Sequence, residues 1–289
     1  MNSALLTEEQ IRQFHDEGVL VVPCFYDLER EILPIQKGIH EIIASLIEYY
    51  QLPIEQGPFT PEDFDAGFQA LLAADRHLGG VVYDAVKQIP AFVRLVGCVR
   101  HEQLFSELRQ GAQPAVAAGG YGIRIDNPNE EHYRAPWHQD YPAQLRSPDG
   151  LVYWSPLVAM TSALGPVELC LGSHRDGARP LYTHDRDNPT KSGAYALRLV
   201  GEAEIIAGYR HSAPLTRPGD LIILDYLLLH TSGYNRSDRS RWSLQMRYFN
   251  FKHPQGLQTQ WRGSFAAGVS LKDIHPELVV ETETQGRLL

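Results

Sequence analysis

The sequence predicts a β-sandwich or barrel preceded by helices. Three observations carry this. Before Gly111 the apolar residues recur at helical spacing, and after it they alternate. The alternating segments are short and numerous. Turn-forming clusters separate them, among them Asn127-Pro128-Asn129, Ser147-Pro148-Asp149-Gly150 and Arg217-Pro218-Gly219-Asp220. The gaps leave no room for regular βαβ crossovers except at 172–200, a polar stretch that reads as a loop.

Taken in order, Thr7-Glu8-Glu9-Gln10 reads as a capping box starting a helix that runs to about Glu17. Gly18 breaks it, and Val19-Leu20-Val21-Val22 follows as a short strand. Asp27 is placed to cap a second helix, whose Ile32, Ile35, Ile39, Ile42, Ile43 and Leu46 share one face. Residues 61–110 continue helical with a break at Pro90. Strands are expected at Gly119–Ile125 and near 151–157, 166–171, 202–207, 219–229 and 241–251. Trp261, Phe265 and Val269 give the tail apolar positions with which to pack back. At 289 residues we expect one domain: a helical part at about 1–110, a β core at about 115–252 and a tail at 253–289.

Composition narrows the function classes. With 26 basic and 35 acidic residues the net charge is −9, so counterion release offers no drive towards nucleic acid. The longest apolar run, Leu221 to Leu229, contains Asp225 and is too short to span a bilayer. No signal peptide is visible at the N-terminus, and the expectation is a cytoplasmic protein without a membrane partner. Cys24, Cys98 and Cys170 form neither a disulfide framework nor a zinc-binding pair, and read as three buried thiols. Asn235-Arg236-Ser237 fits a glycosylation sequon by accident.

The chemistry is concentrated in His138-Gln139-Asp140. On an extended backbone residues i and i+2 point to one side, so a single ion can take both side chains. A third ligand must come from downstream. His184 lies in the polar loop, His211 precedes a turn, and His253 and His275 lie in the tail. His230 ends the strongest apolar strand, and a rigid strand end suits a metal ligand. Two imidazoles and a carboxylate form a facial triad with open positions for a non-haem iron(II). Arg241 starts the next strand across a polar connection and can pair bidentately with an acidic co-substrate. On that strand Arg241, Ser243, Gln245 and Arg247 share one side, and Trp242, Leu244, Met246 and Tyr248 the other. The polar side faces either solvent or a barrel mouth.

Several motifs, in order and spanning most of the chain, resemble the phytanoyl-CoA dioxygenase family of iron(II)/2-oxoglutarate-dependent oxygenases. They are the opening helix Leu6 to Gly18, Trp137-His138-Gln139-Asp140-Tyr141, the segment Gly165 to His174 ending in Gly-Ser-His, Arg217-Pro218-Gly219-Asp220-Leu221 and His230-Thr231-Ser232. The resemblance implies a mainly β fold with flanking helices, a cupin-like double-stranded β-helix or jelly roll. It implies iron on His138, Asp140 and His230, and the distal carboxylate of 2-oxoglutarate on Arg241 and Ser232. It implies Trp154 in the co-substrate pocket, although plain core packing explains that residue equally well. His174 and Asp220 are expected to hold turns. Related halogenases lack the carboxylate ligand, so Asp140 favours hydroxylation or another oxidation, with dioxygen as second co-substrate and succinate and carbon dioxide as products.

Arg124, Tyr141, Gln245 and Arg247 are the candidates for the substrate side, a lining suited to a small metabolite bearing a carboxylate or phosphate. Internal salt bridges are the competing reading for Arg124 and Arg247. The stretch 172–200 and the tail after 252 are candidates for a lid. Two other functions use the same residues: a non-catalytic binding protein on the same barrel, and a zinc-dependent hydrolase. Neither the substrate nor the oligomeric state is legible.

Overall fold

The computed structural model describes residues 4–185, 188, 190–191, 196–263 and 269–281. The first helix, α1 (Glu8–Glu17), starts as its sequence requires: Gln10 N–H donates to Thr7 Oγ1 at 3.2 Å and Thr7 N–H to Gln10 Oε1 at 2.8 Å. Gly18 ends it in the left-handed region (φ 75°), which glycine adopts without strain. Strand β1 (Val19–Val22) follows at once. Asp27 caps a π-helical turn, Leu28–Ile32, which leads into α2 (Leu33–Tyr49). Then come α3 (Phe68–Ala74), α4 (Arg76–Val86), α5 (Pro90–Val96), opened by the expected proline break, and α6 (Val99–Leu108).

The remaining strands are β2 (Pro114–Val116), β3 (Gly122–Asp126), β4 (Gly150–Pro156), β5 (Val167–Leu171), β6 (Leu181–Tyr182), β7 (Arg198–Leu199), β8 (Arg210–Ser212), β9 (Leu221–Asp225), β10 (His230–Ser232) and β11 (Arg241–Asn250). Between and after them lie α7 (Tyr141–Gln144), α8 (Glu202–Ala207), α9 (Pro254–Thr259) and α10 (Leu271–Ile274). Helix covers more of the described chain than strand does, and the strands concentrate after Pro114.

Among the described residues the named strands pair antiparallel, and Leu181 of β6 makes one isolated parallel bridge to Val279. The larger sheet runs β1-β9-β4-β11-β2, with β3 also paired to β11. A second sheet runs β10-β5-β8, and β6 pairs β7. Register settles the two faces of β11. Gln245 opposes Trp154 and Gly122, and Arg247 opposes Val152, so these side chains share one face. The other face carries Trp242, Leu244, Met246 and Tyr248, all at most 1% exposed, against the helices. There Trp242 meets Phe64 and Phe68, while Tyr153 and Tyr248 pack on His101. The buried apolar cluster extends from Leu6 to Leu271.

Several expectations need correction. Residues 202–207 form a helix. The six-residue stretch Glu-Ala-Glu-Ile-Ile-Ala suits either period, but its acidic residues favour a helix N-terminus. The apolar run 219–229 is not one strand. β9 stops at Asp225, whose Oδ1 accepts from Leu227 N–H, and the chain turns there into the second sheet. His230 therefore opens a strand, and the polar connection after β10 leads to β11 in the other sheet. Of the cysteines only Cys170 is buried; Cys24 is exposed and Cys98 half-buried. In the tail Val269 is buried but Trp261 is 38% exposed, and Phe265 lies outside the described residues.

The turn residues behave as read. Asp220 accepts from Arg217 N–H and Cys24 N–H. His174 sits in a 3-10 turn, bonded to the His15 carbonyl. Asn235, at the sequon, is 3% exposed and donates to the carbonyls of Asp126 and Arg239, so it builds the connection between the sheets. Among the described residues no helix is long and apolar enough to cross a membrane.

Candidate metal centre

His138 and His230 are mounted opposite each other. Their backbones exchange two hydrogen bonds, 2.9 and 3.0 Å, in an antiparallel bridge, and their rings lie 4.2 Å apart. Each ring is oriented by a carbonyl: Nδ1 of His138 bonds Pro136 O at 2.8 Å, and Nδ1 of His230 bonds Leu228 O at 2.9 Å. A carbonyl only accepts, so each Nδ1 carries a proton and each Nε2 is the ring nitrogen left to face a ligand. Asp140 completes the group at the start of α7 in helical conformation, so a turn, not a continuous strand, brings it round beside His138. One ligand atom from each of the three lies within 4.8 Å of the others. Among the described residues this is the one group of three such side chains disposed to hold a metal ion.

The carboxylate is divided between two tasks. Asp140 Oδ1 accepts from Arg247 Nε at 2.7 Å. Oδ2 is buried with no hydrogen-bond partner and stands 3.3 Å from His230 Nε2. Two such atoms at that distance require a positive charge between them, either a proton on Nε2 or a metal ion. Two ligands about 2.1 Å from one ion are about 3.0 to 3.4 Å apart for angles between a right angle and the tetrahedral one, a range that includes this separation. The electrostatics agree with ligation. Burial pushes His138 down to about 3, helped by His230 and opposed by Asp140, so its imidazole is neutral. Burial alone would raise Asp140, but the Arg247 charge above all outweighs it and holds the carboxyl well below its usual range.

Between the ligands, Gln139 is 2% exposed and fully engaged. Its amide donates to Gly177 O and Leu227 O and accepts from Arg179 N–H. The peptide carrying His138 and Asp140 is thus tied to two neighbouring loops, a function the sequence reading missed.

A cavity of about 220 Å³ opens beside the triad, lined from both sheets. Arg241, Ser232, Trp154, Gln245, Arg247 and Arg124 all line it, so the polar side of β11 faces this cavity and not bulk solvent. Arg241 is 2% exposed; Nη2 donates to Asp126 Oδ2 at 2.7 Å, Nη1 to the Gly165 carbonyl, and Nε has no partner. Asp126 also takes Arg124 at 2.8 Å. Burial would raise Asp126, yet Arg124 and Arg241 hold it below its ordinary value. Two guanidiniums sharing one carboxylate leave one positive charge in surplus. The sequence reading missed Asp126, although it falls on the same alternating strand as Arg124.

Tyr141 does not take the substrate-side place expected of it. It is 1% exposed, its hydroxyl is turned to Gln255 and His275, and it is absent from the cavity wall. Arg124 and Arg247 line the cavity but are also committed to Asp126 and Asp140, so the salt-bridge reading describes both. No described residue of 172–200 or of the tail lines the cavity. The described residues of these segments instead brace Gln139 and Tyr141.

The chain belongs to the phytanoyl-CoA dioxygenase (PhyH) family, whose model matches residues 14–243. Among solved structures it is similar to EctD from S. alaskensis with 2-oxoglutarate and 5-hydroxyectoine, at 19% identity over 92% of this chain and 88% of that one, with a TM-score of 0.58. It is also similar to the non-haem α-ketoglutarate-dependent carbocyclase SnoK from nogalamycin biosynthesis, at 16% identity, 86% of each chain and a TM-score of 0.55. The epimerase SnoN of the same biosynthesis aligns at 16% identity over 87% of each chain, with a TM-score of 0.51. At these identities the likeness is one of fold. No curated protein matches the chain in sequence.

Proposed function

We propose that this chain is an iron(II)- and 2-oxoglutarate-dependent dioxygenase that hydroxylates a small polar metabolite or natural product, with release of succinate and carbon dioxide. The observation that carries this is the convergence of one ligand atom each from His138, Asp140 and His230 within 4.8 Å, with Asp140 Oδ2 buried and without a hydrogen-bond partner. In this reading His138, Asp140 and His230 hold the iron, and the two sheets are the halves of a double-stranded β-helix within a single domain. Bound iron(II) supplies oxygen activation coupled to oxidative decarboxylation of 2-oxoglutarate. Arg241 and Ser232 take the distal carboxylate, using the surplus charge left by Asp126, and Trp154 forms a wall of that pocket. Gln245 is the substrate-side candidate that no ion pair already claims. Arg247 holds Oδ1 of Asp140 away from the metal and so keeps the carboxylate a one-oxygen ligand.

Anaerobic addition of iron(II) and 2-oxoglutarate is expected to give a visible charge-transfer band, and admission of oxygen to give succinate. Ring-bearing and straight-chain metabolites can then be screened for stimulation of succinate release. No band with iron but hydrolysis with zinc would favour a zinc hydrolase, and binding without either reaction a non-catalytic protein.

A further inference from the structure

A second cavity, about 280 Å³, lies between α4 and β3. It shares Tyr83 and Arg124 with the metal cavity, so the two cavities adjoin at these side chains. The floor of the second cavity includes Gly80, within α4. Glycine inside a helix is disfavoured relative to alanine and is usually kept for close packing. Its neighbour Gly79 has that reason: a Cβ there would stand 2.4 Å from Leu72 Cδ2 of α3. Gly80 has no such reason, since a Cβ would meet nothing within 4 Å and its φ is not in the left-handed region. Gly80 therefore presents open, solvent-exposed backbone to this cavity.

The walls repeat the theme. Tyr83 and Tyr133 stay 40% and 50% exposed at this cavity, and Phe68 and Ile125 close it. Each tyrosine is pinned by a cation: Lys87 Nζ lies 3.9 Å from the Tyr83 ring centre, and the Arg76 guanidinium 5.2 Å from that of Tyr133. Arg76 is itself held by Glu130 at 2.6 Å. Fixed aromatic surfaces beside open backbone form a preorganised slot for a planar apolar group, with polar side chains at its rim.

We propose that this cavity is the substrate-recognition subsite and takes a flat ring system with polar substituents at its edge. The ring lies on the backbone at Gly80 between Tyr83 and Tyr133 while the carbon to be oxidised enters the metal cavity. This rests on the dioxygenase reading above and narrows its substrate to ring-bearing compounds.

The test uses 2-naphthol as probe on the full-length protein without metal, followed by NMR titration and by a soaked crystal. Saturable binding in the second cavity is expected. Gly80→Leu, which fills the slot, and Tyr133→Ala, which removes one wall, should each weaken it roughly tenfold. Gly80→Ala should raise the melting temperature, because packing has no use for the glycine. Circular dichroism reports folding; if Gly80→Leu does not fold, the exposed Tyr133→Ala carries the comparison. No binding to wild type, or equal binding to wild type and the variants, overturns the subsite. Failure of the probe with the charge-transfer band intact removes the subsite and leaves the dioxygenase. A bound probe with no band overturns the activity on which the subsite's role depends.

Discussion

Arg241 and Arg247 sit on one face of one strand, yet their surroundings assign them opposite tasks. Arg241 reaches Asp126 and the Gly165 carbonyl, with a partnerless Nε. Arg247 reaches a proposed metal ligand. One titration separates them. Arg241→Ala is expected to raise the KM for 2-oxoglutarate by roughly a hundredfold, with iron(II) affinity nearly unchanged. Arg247→Leu should instead weaken iron by roughly 10–100-fold, as loss of a ligand's support does. If Arg241→Ala leaves the co-substrate KM unaltered, the assignment of that guanidinium is wrong. The ligand types were legible because a His-x-Asp motif and a distant histidine sit among motifs that resemble one family. Arg247's partner was not legible, because alternation tells which way a side chain points and not what it meets there.

At the scale of the element, β11 shows how far periodicity reaches. Its alternation separated Trp242, Leu244, Met246 and Tyr248 from Arg241, Ser243, Gln245 and Arg247, and the structure keeps that division. Whether the polar side met water or a cavity depended on the second sheet, whose strands are only three to five residues long. The two faces should respond differently to truncation. Trp242 is fully buried against Phe64 and Phe68, and its Nε1 donates to Asp65 at 2.7 Å. Trp242→Ala is expected to cost about 3–5 kcal/mol in urea unfolding. Gln245→Ala, on the cavity side, should cost less than about 1 kcal/mol. A loss of similar size at both positions would refute this division. Short elements were harder to read: Glu202–Ala207 carries too few residues for a helical period to outvote a strand, and the run ending at Leu229 hides a turn that its apolar composition does not announce.

Over the whole molecule, acid stability depends in part on a buried group outside the metal centre. His101 is fully buried, stacked on Tyr153 with ring centres 4.6 Å apart and bonded to the Tyr26 hydroxyl at 2.7 Å. Burial, then the Arg100 charge, pushes it down from 6.5 to about 3. In the unfolded chain the same histidine takes its proton near 6.5. Between these values the unfolded state binds the extra proton, so stability is present in full above 6.5 and falls as the pH drops towards 3. The slope is about 1.4 kcal/mol per pH unit for one such group. Urea midpoints from pH 7 down to pH 5 should therefore decline, and His101→Leu should flatten the decline. An unchanged slope in the variant would mean that His101 titrates normally in the fold.

The architecture around Asp140 also bears on how far from the centre a substitution can act. Arg247 offsets the carboxylate's charge, two carbonyls aim the imidazoles, and Gln139 fastens the peptide between them. A change at any of these supports would reach the ligands without touching them. Gln139→Ala, for one, leaves all three donor atoms in the chain and frees the segment that carries two of them from Gly177 and Leu227.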